Sequence, residues 1–304
     1  MYHLPVMLKE CIEALNIKED GVYVDVTFGG GGHSREILKG LGKQGRLVAF
    51  DQDEDAKRNL PEDEKLVFID QNFEFIKNHL MYQGICPVDG LLADLGVSSY
   101  QFDTDDRGFS YRFDDALLDM RMNANAKRSA ADVLNTYTEE NLANVLYQYG
   151  ELTQSRKLAA DIVSFRIAKP IQTVADLKKA LDRHAPKFRE YKFYSQVFQA
   201  LRIEVNEELE VLKKLLLQCI DIIKPGGVIV IMSYHSLEDR LVKDFINSGN
   251  FEGELEKDFF GNVIKPFTAV QKKAIVASDE EIEQNPRARS AKLRIARRCE
   301  HKNM

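Results

Sequence analysis

The sequence predicts an α/β protein: a largely parallel sheet covered by helices on both faces and interrupted by a helical insertion of about a hundred residues. Three observations carry this. Short apolar runs alternate with helical stretches over the first hundred residues, strand-like runs then cease from about 103 to 205, and the alternation resumes afterwards. Near-continuous apolar runs are what a parallel sheet buried on both faces requires, and they imply right-handed βαβ crossovers.

The elements follow in order. Val22 to Val26, Leu47 to Phe50, Leu66 to Ile69 and Val88 to Leu92 read as strands, each bounded by Gly, Asp or Pro. Ser129 to Asn135, Glu139 to Tyr149, Arg156 to Ile167 and Val174 to His184 read as amphipathic helices of the insertion. Asn206 suits the N-cap of a helix whose Leu209, Leu212, Leu215, Leu216 and Ile220 recur at helical spacing, and Lys224-Pro225-Gly226-Gly227 stops it. Val228 to Met232 is a further buried strand, with Lys273 to Ala277 and Lys292 to Ala296 as less regular candidates. Gln284-Asn285-Pro286 reads as a loop. The domain division is therefore 1–102 with 206–304 around an inserted, all-helical 103–205.

With 304 residues, 44% hydrophobic and 30% charged, the chain is neither collagen-like nor intrinsically disordered. The longest apolar run, Val228 to Met232, is far short of the ~20 residues a membrane span needs. The N-terminal MYHLPVMLKE lacks a basic region followed by an apolar stretch, so a cytoplasmic protein is expected, with no membrane partner. Cys11, Cys86, Cys219 and Cys299 form no CxxC pair; reduced thiols are expected and no metal is implied. The net charge of −6 hides a segregation: Arg156 to Arg202 carries +7 and Arg287 to Lys302 carries +6, leaving −19 elsewhere. Such zones are either a localised polyanion contact or two solvated faces.

The strongest local signal runs from Val22 to Ser34: a strand with Asp25 near its end, the four glycines Gly29 to Gly32, then a helix over Arg35 to Leu41. Glycines let the backbone approach a ligand, and a helix start offers free N–H groups. Asp51 ends the second strand, where a carboxylate can accept hydrogen bonds from both hydroxyls of a ribose. Ser34 stands where a dinucleotide fingerprint wants Gly or Ala, and Asp25 would repel a pyrophosphate. Both features favour a cofactor with a cationic end, S-adenosylmethionine, over NAD or a ligand-free turn. Phe73, after the third strand, either stacks on an adenine or packs in the core. Asp94, following the fourth strand, should face the same crevice, because ligands bind outside the carboxyl ends of open parallel sheets.

Beyond these features the chain resembles, over essentially its whole length, the bacterial 16S ribosomal RNA cytosine-N4 methyltransferases (RsmH/MraW). The matching stretches include His3-x-Pro5-Val6-x-Leu8-x-Glu10, Thr27-Phe-Gly-x-Gly-Gly-His-Ser34, Asp94-Leu-Gly-Val-Ser-Ser99, Arg107-Gly-Phe-Ser110, Leu118-Asp-Met-Arg-Met122, Phe198-Gln-Ala, Pro225-Gly-Gly, His235-Ser-Leu-Glu-Asp-Arg240 and Asn285-Pro-Arg-Ala-Arg-Ser290. The resemblance implies a class I S-adenosylmethionine-dependent, Rossmann-like sheet with an inserted helical domain. It implies cofactor contacts from Gly31, Gly32, His33, Asp51, Phe73, Asp94 and Gln101, and a cytidine in the decoding centre of the small ribosomal subunit as target. Tyr100 and Tyr234 depart from the family's usual Pro and Phe, and Phe251 to Ile264 matches its pattern poorly.

An exocyclic amine is a weak nucleophile, so the site must align it with the methyl group and stabilise the charge it gains. Asp94 is the catalytic candidate for accepting hydrogen bonds from that amine. Carbon-5 methylation would need a cysteine nucleophile, and Cys86 precedes the fourth strand at the wrong end of the sheet. Ser236 can N-cap the helix after the fifth strand with Asp239 three residues on, which leaves Tyr234 and His235 for the target base. Arg202 and Asn206 are further target candidates. Arg287 and Arg289, together with the first basic zone and its interleaved Phe188, Tyr191, Phe193 and Tyr194, suggest an RNA backbone clamp. The rival readings are a DNA amino-methyltransferase and a ribosome-assembly factor that binds the cofactor without turnover. Monomer and homodimer are both compatible with the sequence.

Overall fold

The computed structural model describes residues 5–300 except Asp106, without the side chains of Ser99 and Tyr100; His3, the Tyr100 side chain and Lys302 lie outside the described residues. The chain divides into two compact units, Met1–Gly96 with Leu209–Met304, and Val97–Glu208.

The first unit is built on a seven-stranded sheet. Its strands are β1 (Val22–Asp25), β2 (Arg46–Phe50), β3 (Leu66–Ile69), β4 (Val88–Asp94), β5 (Ile223–Ser233), β6 (Phe267–Ala269) and β7 (Lys292–Arg298), in the order β3-β2-β1-β4-β5-β7-β6. β1 to β5 pair in parallel, whereas β7 runs antiparallel to both β5 and β6. Strands with apolar residues on both faces are explained by cover on both sides. Val24, Val48, Leu91 and Ile229 enter one core with Leu212 and Phe245, and their neighbours Tyr23, Leu47, Leu92 and Val230 enter another with Cys11 and Ile37. The strand order reverses between β1 and β4, which opens a crevice beyond their carboxyl ends. This mixed sheet with its helices is the class I, Rossmann-like arrangement.

Several expectations are corrected here. Lys273 to Ala277 is not a strand; only Ile275 bridges to Leu293, since the segment meets β7 at one point. Asn206 caps no helix start: it ends the helix Glu190–Asn206, and its amide bonds the Met120 and Arg202 carbonyls, at 2.8 Å each. Gln284 belongs to a short helix, Asp279–Gln284, and a 3-10 turn follows over Pro286–Ser290. The 17-residue helix Glu190–Asn206 and the strand Phe267–Ala269 went unread. The first is rich in aromatic and β-branched residues that favour strands and has no side-chain N-cap bond; the second is a three-residue edge. Among the described residues no helix is long and apolar enough to cross a membrane.

The second unit is helical, with Ala130–Thr136, Glu139–Gln148, Ser155–Ala168, Val174–Leu181 and Glu190–Asn206 around a core that includes Leu134, Leu158, Leu177, Val197 and Phe198. Ser129 and Thr173 start two of these helices with complete capping boxes. Gly108 is fixed by sterics: its φ is +66°, and a β carbon there would lie 2.1 Å from the Leu117 carbonyl oxygen. Backbone on both sides leaves nothing flexible to yield. Gly108→Ala should therefore lower the unfolding free energy by at least ~2 kcal/mol, measurable by denaturant titration against wild type.

Candidate active site

Three carboxylates converge at the carboxyl edge of the sheet because three adjacent strands end in, or just before, an aspartate. Asp25 ends β1, Asp51 follows β2 and Asp94 ends β4. Asp51 and Asp94 each feel the charge of Asp25.

The loop after β1 is tied to both neighbouring strands through these groups. Asp25 is buried, accepting from the Ser34 hydroxyl at 2.6 Å and the Thr27 backbone N–H at 3.1 Å, which joins the end of β1 to the helix Gly32–Gly40. Asp51 accepts the Gly29 N–H at 2.7 Å and the Asp53 N–H at 2.9 Å. Thr27 Oγ1 accepts the Asp94 N–H at 2.7 Å. Gly31 precedes the helix and Gly32 opens it, under Pro5: a β carbon on Gly32 would stand 2.2 Å from Pro5 Cγ.

Asp94 is gripped from two sides. Tyr234, just past β5, donates its hydroxyl to Asp94 Oδ1 at 2.7 Å, and His33 Nδ1 lies 3.9 Å from Oδ2. His33 Nε2 is 3.1 Å from the Val6 carbonyl, which can only accept, so Nε2 carries the hydrogen and Nδ1 faces the carboxylate. Burial is the main cause that raises Asp94 from 3.8 to about 6, against the lowering effects of His33 and the Tyr234 hydroxyl. Asp51 is likewise raised by burial to about 6, and burial also raises Asp25. The same burial, with the charge of Asp94, holds the Tyr234 phenol protonated.

His235 corrects the capping expectation. It, not Ser236, is the N-cap of the helix Ser236–Ser248: its Nδ1 takes the Glu238 N–H at 3.5 Å, while Nε2 sits 3.3 Å from Glu238 Oε1. Asp239 instead pairs with Arg294 at 2.7 Å and Lys292 at 3.1 Å, because β7 lies beside this helix. Phe73 opens a 3-10 turn after β3 and is half-buried against the core. Gln101, Arg202 and Asn206 belong to the second unit. There Gln101 Oε1 accepts the Ser98 N–H at 3.1 Å, and Arg202 is held by Glu208 at 2.8 and 2.9 Å. Arg287 and Arg289 lie on the turn Pro286–Ser290. Sequence reasoning missed Thr27, Ser34 and the Tyr234–Asp94 bond. The first two stood inside the glycine motif, but the third joins residues 140 apart and had no local signal.

Among the described residues no Lys or Arg is a charge partner of Asp25, Asp51 or Asp94. Such a rim disfavours a pyrophosphate and suits a ligand with a positive end. S-adenosylmethionine, with a sulfonium, an ammonium and two ribose hydroxyls, fits this donor set, since both oxygens of Asp51 and of Asp94 retain a lone pair beyond the bonds described above. Asp51 would hold the ribose, and Asp94 and Asp25 would face the cationic end.

The raised acids set a pH dependence. Carboxyls that titrate near 6 when folded and at 3.8 otherwise bind more protons in the folded state between those values, so ligand-free stability falls as pH rises from about 4 to 6. Thermal melts across that range should show the decline, and Asp51→Asn with Asp94→Asn should flatten it.

Residues 1–299 match the MraW methylase family. Among curated relatives, the Ribosomal RNA small subunit methyltransferase H of Parabacteroides distasonis is 57% identical over 296 residues, covering 97% of each chain. That of Cytophaga hutchinsonii is 55% identical over 300 residues, covering 98% of this chain and 100% of its own. A solved rRNA methylase from Streptococcus thermophilus is 12% identical, with a TM-score of 0.43 over 98% of this chain and 99% of that one. With an acidic crevice of the right chemistry and a match across its length, this chain belongs to the MraW methylase family.

Proposed function

We propose that the protein is an S-adenosylmethionine-dependent methyltransferase that acts on 16S ribosomal RNA of the small subunit, adding a methyl group to N4 of a decoding-centre cytidine. The observation that carries the reading is the acidic rim with no Lys or Arg charge partner among the described residues at the β1/β4 switch point, in a chain more than half identical to small-subunit methyltransferases over 97% of its length. When bound, the cofactor supplies an electrophilic methyl group. The remaining work falls to this chain. Asp94 accepts hydrogen bonds from the exocyclic amine, aims its lone pair and stabilises the charge it gains; with its carboxyl near 6, it can also take up the proton the amine loses. Tyr234 keeps the Asp94 carboxylate in one orientation. Tyr234 and His235 line the target side, Gln101 supports cofactor binding, and the helical domain, 103–205, recognises the RNA. Arg287 and Arg289 contact its backbone from the C-terminal zone.

Labelled-methyl transfer to small subunits from a strain lacking the protein tests this. Asp94→Asn should reduce transfer by about 10²-fold, the scale expected for losing one transition-state acceptor, and analysis of the digested RNA should find N4-methylcytidine. Transfer to DNA rather than RNA would support an amino-methyltransferase of DNA, and cofactor binding without transfer would support an assembly factor. By calorimetry, S-adenosylmethionine should bind more tightly as pH rises from 5 to 7, because Asp51 and Asp94 attract its charge only when ionised. Arg287→Ala with Arg289→Ala should weaken RNA binding and reduce its salt slope by about two phosphate contacts, read from affinities at several salt concentrations.

A further inference from the structure

The helical unit contains a strained turn with an aromatic ring on its apex. Pro186 to Arg189 is closed by the Arg189 N–H donating to the Pro186 carbonyl at 3.0 Å, and its third residue, Phe188, has φ +67°. Positive φ at that position is the type II pattern, which glycine or asparagine adopts without steric cost and a bulky side chain does not. Packing offers no compensation, because Phe188 is 91% exposed. Phe193 and Tyr194, from the same basic zone, are buried in the core, so the fold uses two of its aromatics and leaves Phe188 and Tyr191 in solvent. Lys187, Arg189 and Lys192 are exposed around the ring, and among the described residues none has an ion pair. Glu190 is the one acid between Lys187 and Lys192.

We propose that Phe188 is a base-stacking finger for single-stranded RNA, with Lys187, Arg189 and Lys192 contacting the flanking phosphates. Any base offers a π-face to a rigid exposed ring, and unpaired cations beside it match a polyanion rather than an apolar protein pocket. Backbone strain of this kind clusters at positions that contact ligands, and here no packing repays it. The inference rests on the reading that the substrate is RNA, and it adds a stacking site in the helical unit.

The test uses the full chain, fluorescence anisotropy with a mixed-sequence single-stranded RNA oligonucleotide, and thermal melts. Phe188→Gly relieves the turn, so its melting temperature should rise, while RNA affinity falls about tenfold with an unchanged salt slope. Phe188→Trp should bind RNA as tightly as wild type, and Lys187→Ala with Lys192→Ala should weaken binding and flatten the slope. S-adenosylmethionine affinity should not change in any variant. The proposal falls if Phe188→Gly binds RNA like wild type, if Phe188→Trp binds no better than Phe188→Gly, or if Phe188→Gly melts lower. It also falls if Phe188→Gly loses affinity only for small-subunit proteins, which would make the partner a polypeptide. Methyl transfer to small subunits is scored in parallel. Wild type that transfers methyl groups but binds RNA independently of Phe188 overturns the finger alone; RNA binding that depends on Phe188 without any transfer upholds the finger and overturns the function.

Discussion

Carboxylates withdrawn from water with no Lys or Arg partner among the described residues are the constraint on which this molecule turns. Taking an ionised carboxyl out of water is unfavourable unless hydrogen bonds or an opposite charge compensate. At the end of β1 the compensation is local: Ser34, Thr27 and the Gly29 N–H supply donors to Asp25 and Asp51, and in doing so lock the loop to the helix Gly32–Gly40 and to β2. Asp94 is compensated from farther away, by the Tyr234 hydroxyl, with the His33 ring 3.9 Å from its other oxygen. What these donors leave uncompensated is net negative charge, and a cationic ligand is what removes it. The site thus surrenders some stability in the free protein for affinity in the bound one, the usual compromise at functional positions.

The same hydrogen bonds make the site rigid. A carboxylate that aligns a weak amine nucleophile must not rotate, and Asp94 has a donor against one oxygen and an imidazole near the other. His33 is itself oriented by the Val6 carbonyl, so the N-terminal segment contributes to the geometry of a residue at the end of β4. Tyr234 sits between Asp94 and the helix start capped by His235, and its own backbone N–H donates to Glu238 at 3.0 Å.

The two basic zones have different fates. In the C-terminal zone, Lys292 and Arg294 are committed to Asp239. In the helical unit, Arg183 is paired with Asp161 and Arg202 with Glu208, while Lys187, Arg189 and Lys192 have no ion pair among the described residues. A charge count over either stretch therefore overstates the cations free for a polyanion; the useful number emerges only after the carboxylates are placed.

The strands β1 to β5, the glycine loop and the aspartates at strand ends were legible in the sequence because each is a local matter: a run of apolar residues, a turn needing glycine, a polar group where a strand stops. The starts of the helices near Ser129 and Val174 were legible for the same reason. Tertiary structure alone decided the rest. It chose His235 over Ser236 as the cap, brought Tyr234 onto Asp94, turned β7 against β5, assigned Asp239 to Arg294, and buried Phe193 while leaving Phe188 exposed. Each of these depends on which elements become neighbours and in what register. Periodicity along a chain says which face of an element is buried; it does not say against what.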